Sequence, residues 1–216
     1  MKKTTRAALT AVLLATLPAC ATTYTAENFA EYQAKHETVA VLPFVTTIDR
    51  RNLKSGYDPE ALDAAERDEA YLFQRQLYIQ FLDRSEKGAY TVTFQPVDRT
   101  NVLLERAGIT YDDLRAYTRD EIGAVLGVDA VLSGEIKRAN PVGTGAAVAG
   151  AFLVGAYSAT NEVTVTMVVH DAETGQLVWA YDHVAQGSLG SSAERLARGL
   201  MRNSASKFPY TREDED

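Results

Sequence analysis

One cysteine, one tryptophan and three histidines are all that 216 residues contain of those types. A single cysteine excludes an intramolecular disulfide framework and a cysteine-based zinc site. Cations are outnumbered: 22 Lys and Arg face 29 Asp and Glu, for a net charge of −7. Phosphate neutralisation needs clustered Lys and Arg, so this balance argues against nucleic-acid binding. No G-x-S-x-G, Walker loop or H-E-x-x-H occurs, which removes the motif-bearing hydrolases and nucleotide-binding proteins. The remainder is ordinary. With 46% hydrophobic and 24% charged residues, the chain is neither wholly disordered, nor collagen-like, nor a polytopic membrane protein.

The lone cysteine has an informative neighbourhood. Lys2, Lys3 and Arg6 make a positive start, and Ala7 to Leu17 is an apolar stretch too short to span a bilayer. Leu17-Pro18-Ala19-Cys20 then resembles a lipobox, the cleavage and lipidation signal of bacterial lipoproteins. In that class the cysteine becomes the first mature residue and carries the acyl chains. The resemblance implies a signal peptide over 1–19, lipidation at Cys20 and a membrane attachment through N-terminal acyl chains. No Asp follows Cys20, which by the same resemblance implies the periplasmic face of the outer membrane. Loss of nineteen residues and three cations leaves 197 residues with a charge of −10. So acidic a body does not favour anionic lipid, and the acyl chains are expected to do the anchoring.

Residues 20–37 are polar and read as a lipidated tether with a short helical piece. Thr38 to Phe44 is a continuous apolar run, ended by Pro43, and reads as a buried strand. Val45 to Pro59 reads as a loop. From Glu60 to Ser85 the period turns helical, with Ala70, Phe73, Leu77 and Phe81 in one stripe. Tyr90 to Val97 reads as a second strand and Arg99 to Ala107 as a short helix. Thr110 with Asp113 and Thr118 with Glu121 are capping-box pairs, the second helix ending at Gly127. Asp129 to Ala139, Glu162 to His170 and Gln176 to Ala185 read as strands, the last two joined by a turn over Asp171 to Gly175. Ser191 with Glu194 starts a last helix, and 211–216 reads as an acidic, disordered tail. The expected fold is α/β (α+β): one domain over 38–210, a mixed sheet of about five strands with helices packed on it.

Several segments resemble a known group. Val39-Ala40-Val41-Leu42-Pro43-Phe44, the helix from Asp98 to Leu104, Leu126 to Ile136 and Thr174-Gly175-Gln176-Leu177-Val178-Trp179 are similar to lipoproteins related to CsgG, the curli-secretion protein. The wider group includes LpoB and the N-terminal domain of TolB. The resemblance implies a fold and no catalytic residues. It also gives the Gly/Ala-rich insert 142–160 a counterpart, the segment that leads into a membrane hairpin of CsgG. A second membrane hairpin does not fit between the Thr-Gly-x-Leu strand and the final helix, because each spanning strand needs about nine to eleven residues.

Gly143, Ala147, Ala151 and Gly155 are small residues four apart, the pattern that lets helices approach closely, and Phe152 and Leu153 add apolar bulk. A loop folded back over the sheet is an alternative. A dinucleotide-binding loop fails because Val148 stands where a third glycine belongs. No charge interrupts Val142 to Glu162, so contact with a membrane or a partner is expected. His36, His170 and His183 are expected apart, without metal, and Glu135 stands alone on its strand. No catalytic pair, metal site or cofactor is expected. The functional expectation is a non-enzymatic, lipid-anchored periplasmic accessory protein acting through an envelope partner or its own copies. The alternative is an oligomeric outer-membrane secretion-channel component of curli type.

Overall fold

The computed structural model describes residues 21–50, 58–139, 162–186 and 193–212. In chain order these form β1 (Ala21–Thr25), α1 (Phe29–Lys35), β2 (Thr38–Val41), β3 (Val45–Ile48), α2 (Pro59–Ser85), β4 (Thr93–Phe94) and α3 (Val97–Arg106). A 3-10 turn (Asp112–Arg115) follows, then α4 (Arg119–Leu126), β5 (Ala130–Ala139), β6 (Glu162–Asp171), β7 (Leu177–Gln186) and α5 (Ala193–Ala205). This is a single mixed α/β domain.

One seven-stranded sheet runs β1-β7-β6-β5-β2-β4, with β3 also paired to β5. β2 and β3 run parallel to β5, whereas β5, β6, β7 and β1 are successively antiparallel. β2 and β3 are one strand interrupted at Pro43, which has no N–H to give the ladder. Val41 pairs with Leu132 and Val45 with Glu135, so four steps on one strand face three on the other. The extra residue is a bulge. Phe44, released from the ladder, donates its N–H to Ala70 of α2 at 3.3 Å. Its ring lies over Gly134, where a Cβ would stand 2.3 Å from the ring. Gly134 is therefore required by close approach.

Helices α1, α2 and α5 cover one sheet face. Val39, Val41, Leu132, Ile136, Val165, Met167, Val169 and Trp179 meet Phe73, Leu77, Phe81, Leu200 and Met201 there. The stripe of α2 is buried as the period requires. Its N-cap is Asp58, which accepts from the Glu60 N–H at 3.0 Å. On the other face α3, the 3-10 turn and α4 bury Leu104, Leu114, Ile122 and Leu126 against Ala40, Leu42 and Val131. An ion pair between Arg138 of β5 and Glu69 of α2, 2.6 Å long and almost fully buried, ties strand to helix.

Five expectations are corrected. The sheet has seven strands rather than about five. The segment after Pro43 is not all loop, because β-branched Val-Thr-Thr-Ile continues the interrupted strand as β3. Tyr90 to Val97 shrinks to Thr93–Phe94: Tyr90 bridges Thr211, Thr91 donates to Tyr210, and Val97 already begins α3. Of the expected tether over 20–37, residues 21–37 are part of the fold, since β1 pairs along β7 and α1 buries Phe29 and Tyr32. The Thr110–Asp113 pair closes a 3-10 turn rather than an α-helix, whereas Thr118 and Glu121 form the expected capping box.

Replacing Gly134 with Ala should cost about 1–3 kcal/mol of unfolding free energy, because the Phe44 ring cannot yield without leaving the core. Urea denaturation checks this, and an unchanged midpoint would contradict the close approach.

Candidate functional site

Two places gather the residues of interest: a buried polar cluster near the β6–β7 turn, and the sheet end from which the chain leads toward Cys20 and the insert.

The cluster is built from distant parts of the chain. α1 ends at Lys35 and hands His36 to the interior, β6 ends at Asp171, and the segment after α5 brings Tyr210. His36 Nε2 lies 2.9 Å from Asp171 Oδ1, and His36 Nδ1 lies 2.6 Å from the Tyr210 hydroxyl. Lys35 Nζ reaches Asp171 Oδ1 at 2.7 Å. The other carboxylate oxygen accepts from the Thr174 N–H at 2.8 Å and from its hydroxyl. Burial alone would push the Asp171 carboxyl up. The hydrogen bonds from Lys35, Thr174 and His36 outweigh it and hold the group well below the usual carboxylate range. Burial, reinforced by the charges of Asp171 and Asp129, pushes the Tyr210 phenol far up. Tyr210 therefore keeps its proton, and its hydroxyl and the Asp171 carboxylate flank the two ring nitrogens of His36.

The order phenol, imidazole, carboxylate has the outline of a proton relay. Its exposures decide otherwise: Tyr210 is 0% exposed, His36 4% and Asp171 1%. A nucleophile or general base needs access to substrate, and every polar atom here is occupied within the fold. The arrangement is a clamp joining α1, the β6–β7 turn and the C-terminal segment. A cleft of about 400 Å³ abuts it, lined by Lys35, His36, Asp129, Asp171 and Glu173.

At the other end of the sheet, Ala21 pairs with His183 and Glu162 with Gln186. β1 runs antiparallel to β7, so the chain enters β1 from the end at which β5 leaves and β6 returns. Ala21 and Glu162 are three residues apart along the strands and two strand spacings apart across the sheet, roughly 15 Å in all. β1 begins one residue after Cys20. Cys20 itself lies outside the described residues. So do Gly143, Ala147, Ala151, Phe152, Leu153 and Gly155, the signal segment 1–19 and the end of the acidic tail. The Ser191 cap lies outside them as well.

The other sequence candidates stay apart. His170 pairs with Leu177 and His183 with Val165, five positions apart along β6. Burial, with the nearby Arg119 charge, lowers the His170 pKa. Glu135 is half-exposed beside Lys137 and Arg115. Among the described residues no group of three or more His, Cys, Asp or Glu is placed to hold a metal ion. Sequence reasoning placed His36 in a tether and missed Asp171, Tyr210 and Lys35. Phe29, Tyr32 and His36 at helical spacing were the available signal.

No family model matches the chain, and no curated protein matches it. Solved structures do. The chain is similar to the PelC dodecamer from Paraburkholderia phytofirmans, at 14% identity and a TM-score of 0.45, over 88% of this chain and 96% of that one. It is similar to lipoprotein GNA1162 from Neisseria meningitidis, at 16% identity and a TM-score of 0.41, over 79% and 94%. It is also similar to the LpoB C-terminal domain from Salmonella enterica, at 15% identity and a TM-score of 0.38, over 70% and 84%. At these values no function passes from those proteins to this chain.

Replacing Asp171 with Ala should cost about 2–4 kcal/mol at neutral pH, because Lys35 and His36 lose a buried partner. The native pKa of Asp171 is depressed, so its contribution is full above the ordinary aspartate value of 3.8. That contribution is lost as pH falls below this value toward the native one. Denaturation of both proteins at pH 7 and pH 3 checks this; a stability gap that fails to narrow at pH 3 contradicts it.

Proposed function

We propose that the chain is a lipid-anchored protein of the bacterial envelope that works by contact with other proteins. Its acyl chains, on Cys20, hold it directly against the membrane. One observation carries the second half of this reading: β1 starts at Ala21 and is paired along its whole length with β7. No slack separates the lipidation residue from the sheet. A tether of seventeen residues could have reached about 60 Å. With β1 in the sheet that reach is gone, and a role that requires crossing the peptidoglycan, as an LpoB-like activator would, loses its support. The partners of this domain meet it at the membrane surface, on the periplasmic face of the outer membrane.

The insert fits the same picture. It leaves and re-enters the fold at the anchored end, roughly 15 Å from Ala21. An apolar segment starting there meets the bilayer that takes the acyl chains. Phe152 and Leu153, with the small residues Gly143, Ala147, Ala151 and Gly155 around them, are the contact we assign to it. This placement also favours a second reading, a channel component contributing one hairpin per subunit. Only residues 187–192 separate β7 from α5, which is too few for a second pair of spanning strands. A pore of the two-hairpin curli type is thus disfavoured, and steady ion conductance by the purified chain in planar bilayers would revive it.

Neutron reflectometry of the lipidated chain on a supported bilayer tests the reading. Protein density should begin at the headgroups. A twenty-residue Gly/Ser linker between Cys20 and Ala21 should open a water gap of about 25 Å. A gap of that size in the unaltered protein overturns the proposal. Cys20→Ser should move the protein from membrane to soluble fractions. Adding Phe152→Asp and Leu153→Asp to that variant should abolish its residual binding to neutral vesicles, and unchanged binding would remove the insert from the membrane.

A further inference from the structure

We propose that the open edge of β1, with the groove beneath it, is a docking site for an extended acidic segment of a partner protein. The proposal rests on the reading that this domain works by protein contact, and it names the chemistry of that contact.

β1 ends the sheet. All five of its residues are exposed, on both faces. Proteins blunt such edges with Lys, Pro, bulges or very short strands. The opposite edge obeys, since β4 has two residues. β1, reading Ala-Thr-Thr-Tyr-Thr, carries none of these devices and is rich in residues that favour strands.

The register says which groups are open. Ala26 donates its N–H to the Val178 carbonyl at 3.0 Å, so Ala26, and by alternation Tyr24 and Thr22, turn their N–H groups toward β7. Alternation then turns the N–H and C=O of Thr23 and Thr25, the two neighbours of Tyr24, away from β7 and toward the free edge. Their side chains line a groove of about 1100 Å³, with the segment Ser206–Arg212 on the far side and Trp179 in its floor. Phe29 and Gln33 of α1 border the same groove.

Charge selects the occupant. The groove's lining includes Lys207 and Arg212 and no carboxylate, in a chain of net charge −7. Among the described residues neither cation has an ion-pair partner. Arg212 donates Nε to the Tyr90 carbonyl at 2.9 Å, which fixes the guanidinium and leaves its outer nitrogens for a ligand. An extended segment added to β1 would bond through its main chain and send alternate side chains into the groove. Acidic residues at those positions would meet Lys207 and Arg212.

The test uses the full chain purified in detergent. Two labelled heptapeptides, Thr-Glu-Thr-Asp-Thr-Glu-Thr and the same with Lys at the three acidic positions, both blocked at their ends, are followed by fluorescence anisotropy. The acidic peptide should bind at least tenfold tighter than the basic one. Lys207→Glu with Arg212→Glu should reverse that preference. Thr23→Pro removes an edge donor but no bond to β7, and should weaken the acidic peptide at least fivefold. Equal affinity for the two peptides, or binding untouched by the charge reversal, overturns the proposal. So does self-association that Thr23→Pro abolishes while the acidic peptide fails to bind, the sign of a second copy on the edge. Tighter binding after deletion of 213–216 supports it, with the chain's own acidic tail as a competitor. The anchor plays no part in this assay. Its failure leaves the membrane-held domain standing, and failure of the reflectometry prediction leaves the peptide result untouched.

Discussion

The carboxylate of Asp171 is the constraint on which the placement of the N-terminus depends. It stands at the end of β6 and receives Lys35, His36 and Thr174. Through His36 it reaches Tyr210. Desolvating a carboxylate is costly, and one hydrogen bond would not offset it. Four donors do, two from Lys35 and His36 at the end of α1 and two from Thr174 in the β6–β7 turn. α1 is only seven residues long, too short to be stable by itself. It is held at its C-terminal end by the clamp and along its side by Phe29 against Tyr210, with ring centroids 5.0 Å apart. Because α1 is fixed, the strand before it is fixed, and β1 lies along β7 rather than trailing from the domain.

That chain of dependence reaches the membrane. A lipidated residue on a flexible tether locates a protein but leaves its orientation free. If Cys20 is lipidated as proposed, an anchor one step from a paired strand would do both: the axis of β1 would point toward the bilayer and the rest of the sheet would follow. An acidic body adds little attraction to anionic lipid, so in that arrangement orientation would rest on the strand. The β6–β7 turn, the clamp and the cleft beside Lys35 stand at the end of the sheet opposite Ala21. The β1 edge and its groove stand at the side, accessible to a partner that lies along the membrane.

Much of this was legible in the sequence. The stripe Ala70, Phe73, Leu77 and Phe81 announced α2, because a period of 3.6 survives any tertiary context that buries one face. Gly127 with a φ of 63° and Gly175 with a φ of 70° ended α4 and turned the β6–β7 hairpin where glycines were expected. β3 and β1 were not legible for a physical reason. β3 is four residues after a proline, and β1 is five residues exposed on both faces, so neither carries the alternation that burial of one face writes into a sequence. The clamp was invisible for another reason. Its members are 135 and 174 positions apart from His36, and a polar side chain carries no mark of the partner it meets after folding.

The strand register also bears on how the insert can act. A hairpin of two spanning strands needs about eighteen to twenty-two residues and a turn, and residues 140–161 between β5 and β6 are of that order. β5 and β6 are antiparallel neighbours joined by ten residue pairs up to Ala139 and Glu162. A membrane hairpin there would continue an existing ladder, with no new strand pairing to nucleate. Between β7 and α5 the chain has six residues and no such continuation. One hairpin cannot close a barrel, because an open sheet edge in hydrocarbon leaves main-chain groups without partners. A spanning role for the insert therefore demands copies side by side, whereas an interfacial role, with Phe152 and Leu153 in the headgroup region, demands none. The second arrangement is the one that the proposed function requires, because a single copy would suffice for it and the β1 edge would stay free for another protein.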